Sequence, residues 1–235
     1  MNARWESTKV DNSAMRLYLC LPDSPTPAPG IIVVHGQTGV QDFLEVTRLI
    51  AGAGYVAVAP DLYHRDPPEC KDDAPTRRSR LRDVTVIDDI NAAANYLNAH
   101  QSVAAGQVGI VGFCMGGRVV FLTSAASPAV KAGVMYYGGD TMRAWGDGPS
   151  PFERTADIHG PILGHFGADD LNPSPQDMQK LDAELNRHGK THEFFSYDGA
   201  EHAFANLGSA KYREHAARAS WPRTFAFFAQ HLRRV

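Results

Sequence analysis

The stretch Val108–Val120 constrains the fold of this chain more than any other. Its first half, Val108–Phe113, is a short apolar run that predicts a buried strand. Cys114 follows at once, with Gly112 two residues before it and a Gly-Gly pair two and three residues after it, and a helical run covers Arg118–Ala126. Glycines on both sides are what a sharp strand-to-helix turn needs when its central side chain stands above a sheet as a nucleophile. The pattern therefore predicts such an elbow, with a thiol as nucleophile.

The helix that begins after Cys114 adds a chemical reason for this prediction. Its free N–H groups and its dipole favour a thiolate and, later in a reaction, an oxyanion. A cysteine between a strand and a helix can also be a small buried hydrophobic residue. On this stretch alone both interpretations stay open.

Composition excludes several classes of protein. The chain has 235 residues, 43% hydrophobic and 21% charged, with a net charge of −3, which fits one globular domain over residues 1–235. Neither nucleic-acid binding nor a membrane span is expected, and the polar start of the chain does not resemble a signal peptide.

Three widely spaced cysteines, Cys20, Cys70 and Cys114, argue against a disulfide framework. Without zinc-ligand spacing we expect no metal and no cofactor, and a reducing cytoplasm suits a free thiol.

Strand and helix patterns alternate along the chain, which predicts an α/β fold with a mostly parallel central sheet and helices on both faces. Met15–Leu21 is expected to be an edge strand of a hairpin. Residues 76–100 are expected to form one long helix whose buried stripe includes Val84. A Ser174 N-cap with Asp177 three residues later predicts another helix start. Further strands are expected at Ile31–Val34, Tyr55–Ala59, Val130–Tyr137, Pro161–Phe166 and Thr191–Tyr197.

A thiol nucleophile needs a base, and the base needs a group to orient it. On sheets of this kind the chain order is nucleophile, acid, histidine. Cys114, Asp170 and His202 follow that order, and each comes after a predicted strand. Asp169 remains a rival for the acid, and Asp198 a weaker one.

An oxyanion hole is expected from two backbone N–H groups, those of Met115 and Gln37. Met115 directly follows the nucleophile, and Gln37 lies in the turn after the strand Ile31–Val34. His35 in that turn is expected to be a structural hydrogen-bonding residue.

These motifs together resemble the dienelactone hydrolase (carboxymethylenebutenolidase) family, a cysteine-nucleophile branch of the α/β-hydrolase fold. The resemblance covers nearly the whole chain, and it implies Cys114, Asp170 and His202 as the triad with Met115 and Gln37 as oxyanion donors. The matching segments are Gly54–Tyr63, Gly109–Gly117, Tyr136–Gly138, Gly167–Asp170 with Pro173, and Glu201–Phe204.

Two positions depart from the family pattern. Gly36 stands where the best-studied members carry a glutamate that helps to activate the cysteine, and Asn206 stands where they carry an arginine that binds a substrate carboxylate. Asn cannot reproduce a bidentate, charge-assisted contact. A second family arginine corresponds to Arg77, Arg78 or Arg80, of which we select Arg78.

The sequence thus predicts a hydrolase of small carboxylic esters or lactones, acting through a thioester on Cys114. The expected partner is a small-molecule substrate, and the protein is expected to be a monomer or a homodimer. A non-catalytic binder of a small ligand, or a thiol redox sensor, is the alternative. Besides Arg78 and Asn206, the expected substrate-binding residues are aromatic, namely Tyr63, Tyr137, Trp145 and Phe204.

Overall fold

The computed structural model describes residues 2–232, which form eight strands and six α-helices. The strands are β1 Asn2–Val10, β2 Ser13–Leu21, β3 Ala28–Val34, β4 Val56–Pro60, β5 Val103–Phe113, β6 Val130–Tyr136, β7 Ile162–Gly167 and β8 His192–Tyr197. The helices are α1 Leu44–Gly52, α2 Ala74–Ser79, α3 Asp83–Ala99, α4 Met115–Ala126, α5 Pro175–Arg187 and α6 Glu214–His231. Short 3₁₀ turns cover Val40–Phe43 and Phe152–Asp157.

All eight strands form one sheet in the order β1-β2-β4-β3-β5-β6-β7-β8. The six strands from β3 to β8 are parallel, and β2 is antiparallel to both of its neighbours. The α/β-hydrolase fold with a mostly parallel sheet is thus confirmed.

The expected hairpin is present at the edge of the sheet, but Met15–Leu21 is not its edge strand. Met15–Leu21 lies in β2, an inner strand, and the polar segment before it forms the edge strand β1. Edge strands carry polar and charged side chains because one side of the strand faces water. The polarity of residues 2–9 is therefore the reason that the sequence pattern did not predict β1.

The single long helix expected over residues 76–100 is also wrong, because the chain breaks between α2 and α3. Arg82 has extended backbone angles, φ −128° and ψ 139°, and Asp83 begins α3. The later start fixes the phase of the buried face. Val86 and Ile90 are buried, whereas Val84 is 62% exposed.

Helices cover both faces of the sheet, as predicted. One core packs side chains of α3, α4 and α5 against the sheet, including Val86, Val119 and Leu181. The other packs α1 and α6, including Ile50 and Phe228. Within residues 2–232, the helices all lack the length and apolar character that crossing a bilayer would require.

Candidate active site

Four of the predicted site residues follow strands whose carboxyl ends lie side by side. Gln37 comes after β3, Cys114 after β5, Asp170 after β7 and His202 after β8. Loops at this edge of a parallel sheet converge on one crevice, which is where such sheets bind ligands.

Cys114 stands at a tight turn between β5 and α4, with φ +56° and ψ −117°. A non-glycine residue at such a positive φ is strained. The turn is so close that a Cβ on Gly112 would lie 2.1 Å from the Gly116 carbonyl oxygen. A Cβ on Gly116 would lie 2.2 Å from the Val34 carbonyl oxygen. The glycines are therefore required by contact with backbone.

Asp170 holds the imidazole of His202. The Nδ1–H of His202 donates to Asp170 Oδ2 at 2.9 Å, and the backbone N–H of Asn172 donates to Asp170 Oδ1 at 2.9 Å. Asp170 is only 3% exposed, whereas its rival Asp169 is exposed. With Nδ1 engaged, the other ring nitrogen of His202 is free to serve as a base.

His202 and the backbone N–H groups of Met115 and Gln37 favour the thiolate form of Cys114, and so lower the pKa of its thiol. Burial raises this pKa, but hydrogen bonding by these groups and the imidazolium charge outweigh it, so the pKa lies below its usual value. Burial lowers the pKa of His202, and the hydrogen bonds with Asp170 and Cys114 reverse this effect and raise it. Both directions favour a thiolate–imidazolium pair.

Side-chain hydrogen bonds to its carbonyl groups hold the turn that carries Gln37. Tyr63 Oη donates to the Gln37 carbonyl at 2.8 Å. The N–H of Gln37 belongs to the preceding peptide group, whose Gly36 carbonyl is held by His35. His35 Nδ1–H donates to the Gly36 carbonyl at 2.6 Å, and the Leu62 N–H donates to His35 Nε2 at 3.1 Å. His35 is therefore a buried structural residue, and burial lowers its pKa.

A cavity of about 420 Å³ opens beside Cys114. Of the predicted substrate-binding residues, Arg78 and Trp145 line it. The others lie elsewhere: Tyr63, Tyr137 and Phe204 are buried behind the wall, and Asn206 is exposed with its side-chain oxygen on the Gly208 N–H. Tyr137 packs edge-on against the His202 ring, with 5.2 Å between centroids, so it supports the base and does not face the cavity.

Sequence reasoning missed four charged residues of this wall, Asp140, Arg118, Glu201 and Lys211. Arg118 is fully buried, and its guanidinium lies 3.8 Å from the Trp145 ring centroid. Its partner Asp83 is 35 residues away, at 2.7 and 3.1 Å, in another helix. Such pairings leave no local sequence signal.

Cys70 lies away from the described cavity wall. Its sulfur contacts Asp72 and Arg80, each at 3.6 Å. It therefore cannot act as a resolving thiol for Cys114 without movement of its loop.

Comparison with known proteins agrees with this fold. The model of the dienelactone hydrolase family matches residues 15–232. The chain belongs to this family. A protein of Methylorubrum extorquens, provisionally named carboxymethylenebutenolidase, is 32% identical over 94% of this chain and 79% of the relative. A Bradyrhizobium protein, provisionally named 2-oxo-3-(5-oxofuran-2-ylidene)propanoate lactonase, is 29% identical over 97% of this chain and 94% of the relative.

A solved structure from Klebsiella pneumoniae, provisionally named dienelactone hydrolase, superposes with a TM-score of 0.88. It shares 33% identity with this chain and covers 97% of it and 98% of the other protein. This member of the dienelactone hydrolase family is thus a hydrolase with an activity directed at lactones or esters.

Proposed function

We propose that this protein hydrolyses small carboxylic esters or lactones with Cys114 as nucleophile and a thioester as intermediate. The observation that carries the proposal is the hydrogen bond between Asp170 and His202 on the wall of the cavity that Cys114 also lines, where His202 lowers the pKa of the Cys114 thiol. A group oriented in this way can take and return a proton during acyl transfer. A free catalytic thiol also fits a reducing cytoplasm.

In the first step the Cys114 thiolate attacks the ester carbonyl carbon. The oxygen becomes an oxyanion, and the N–H groups of Met115 and Gln37 are placed to donate to it. The carbonyl then re-forms as a thioester, and the leaving alkoxide takes a proton from the His202 imidazolium. In the second step His202 removes a proton from water, the hydroxide attacks the thioester, and the acid is released with the thiolate restored.

The test uses an uncharged ester, 4-nitrophenyl acetate, with Cys114→Ala as the blank. We expect turnover by the wild type, none above background by the blank, and an acetyl group on Cys114 in rapidly quenched samples analysed by mass spectrometry. Cys114→Ser should lose at least about 100-fold in kcat/KM, since a serine hydroxyl is far harder to deprotonate. Equal rates for blank and wild type would refute the nucleophile and favour the binding-protein alternative.

A further inference from the structure

Each cation on the cavity wall is already paired with a carboxylate of the chain. Arg78 contacts Asp140 through Nη2 and Oδ2. Lys211 Nζ lies 2.9 Å from Glu201 Oε2. The third cation, Arg118, is engaged by Asp83 beneath the wall. A substrate carboxylate that entered the cavity would therefore find no free cation among these three.

Asp140 is held in contact with Arg78 by two hydrogen bonds with Asn172. Its backbone N–H donates to Asn172 Oδ1 at 3.2 Å, and Asn172 Nδ2 donates to Asp140 Oδ1 at 3.3 Å. The second carboxylate oxygen, Oδ2, accepts from Arg78. Asp140 has φ +54°, a conformation that Asp and Asn tolerate better than most residues. The chain thus places its own carboxylate on Arg78, a cation that lines the cavity.

The charge balance of the cavity wall also disfavours the binding of a substrate carboxylate. Three cationic side chains line the cavity together with four carboxylates, those of Asp140, Asp169, Asp170 and Glu201. Asp170 is balanced by His202 when the imidazole is protonated. A second carboxylate brought near Arg78 would be repelled by Asp140, and like charges in a partly desolvated cavity oppose binding.

We propose that Asp140 makes this site select esters with uncharged acyl groups over esters whose acyl group carries a carboxylate, because it occupies Arg78. This inference rests on the proposed function and adds a substrate class to it. Arg78 and Asp140 are both about 30% exposed, at 31% and 28% of their side chains, so the pair is partly shielded from water. Removing the Asp140 charge would leave Arg78 free to accept a substrate carboxylate.

The experiment compares two esters of the same length, 4-nitrophenyl valerate and mono-4-nitrophenyl glutarate. They differ in the end of the acyl chain, which is a methyl group in one and a carboxylate in the other. For each protein the measured quantity is the ratio of kcat/KM for valerate to that for glutarate, after subtraction of the rate with Cys114→Ala. The ratio does not depend on the fraction of correctly folded enzyme.

We expect the wild type to favour the valerate by at least about tenfold, which corresponds to roughly 1.4 kcal/mol of unfavourable charge interaction. Asp140→Asn should lower this ratio about tenfold. Adding Arg78→Gln to Asp140→Asn should restore most of the wild-type ratio, because the freed cation is gone. Asp169→Asn is the matched control: it removes the same charge from the same wall, but Asp169 has no ion-pair partner among residues 2–232. Its ratio should fall less than threefold.

A wild type that prefers the glutarate ester, or an Asp140→Asn ratio no different from that of Asp169→Asn, would overturn the inference while leaving the hydrolase proposal intact. Absence of Cys114-dependent turnover of both esters would instead overturn the proposed function. The two failures are therefore distinguishable in one set of assays.

Discussion

In the proposed mechanism, the groups that lower the pKa of the Cys114 thiol let the site work without the family's glutamate. Gly36 stands at that position, and the turn after β3 contributes a backbone N–H to the sulfur instead of a carboxylate. In this mechanism His202 is the base that forms the thiolate, and the lowered pKa of the thiol favours the thiolate before substrate binds.

The thiolate state of Cys114 predicts that alkylation of this residue depends on pH in an unusual way. The rate of carboxamidomethylation of Cys114 by iodoacetamide should reach half its maximum clearly below pH 8.5, about the value for an ordinary thiol. His202→Gln should move the midpoint to about 8.5 or higher, because burial, which raises the pKa, then acts with less opposition. Peptide mass spectrometry over a pH series measures both. His188→Gln, a substitution just after α5 and outside the described cavity wall, is the control, and equal midpoints in His202→Gln and wild type would contradict the pairing.

Substitution of an elbow glycine is expected to lower the stability of the fold. In Gly116→Ala the new Cβ would meet the Val34 carbonyl oxygen at 2.2 Å, so β3 and α4 must separate. We expect the free energy of unfolding to fall by at least about 3 kcal/mol, at the upper end of overpacking costs because the obstacle is backbone. Urea unfolding followed by circular dichroism measures this. Gly208→Ala, whose Cβ would meet nothing closer than 3.5 Å, should change stability by less than about 1 kcal/mol.

The sequence allowed the fold and the triad geometry to be predicted because both follow from the order of strands. Cys114, Asp170 and His202 each come directly after a strand, and parallel strands bring their carboxyl ends together. The direction of a side chain within a loop has no comparable rule. Phe204 and Asn206 follow the same strand as His202, yet one turns into the core and the other into solvent.

At the scale of elements, the errors arose where tertiary contacts override local pattern. The strand β1 is polar because it is an edge strand, and only its pairing with β2 along nine residue pairs reveals it. The break before α3 places the Asp83 carboxylate where Arg118 can reach it. The local sequence does not predict this ion pair, because its pattern is helical on both sides of the break.

The predicted start of α5 is confirmed by a complete capping box. Ser174 Oγ accepts the Asp177 N–H at 3.2 Å, and Asp177 Oδ2 accepts the Ser174 N–H at 3.0 Å. Ser174→Ala should therefore lower the free energy of unfolding by about 1 kcal/mol and the melting temperature by about 2–4 °C. Differential scanning calorimetry measures the shift. Ser24→Ala in an exposed loop is the control, and an equal shift in both variants would show that the cap contributes nothing.

At the scale of the whole molecule, the pair formed by Arg118 and Asp83 joins three separate parts of the chain. Arg118 belongs to the elbow helix α4 and Asp83 to α3, and the same carboxylate accepts the backbone N–H of Trp145 at 3.0 Å. Arg118 also donates to the carbonyls of Asp140 and Arg143. The irregular segment that carries part of the cavity wall is thus anchored to α4, the helix that begins directly after Cys114.

Breaking this anchor should destabilise the fold and disturb the cavity together. Asp83→Asn would leave the fully buried Arg118 guanidinium without its counter-charge, and burial already lowers the pKa of that group. We expect the free energy of unfolding to fall by about 3 kcal/mol or more, as when one partner of a buried pair is removed. Glu45→Gln, which breaks the exposed contact with Arg48, should leave the free energy of unfolding close to that of the wild type, because exposed ion pairs contribute little.

Trp145 provides a readout of the cavity wall in addition to the stability of the Asp83→Asn variant. Its ring lies over Arg118 and its backbone bonds to Asp83, so native tryptophan emission should change in Asp83→Asn at denaturant concentrations where the protein is still folded. Urea unfolding followed in parallel by fluorescence and circular dichroism provides both readouts. A variant with lower stability but unchanged native emission would mean that the buried pair stabilises the two helices without holding the cavity wall, and the link between fold and site argued here would fail.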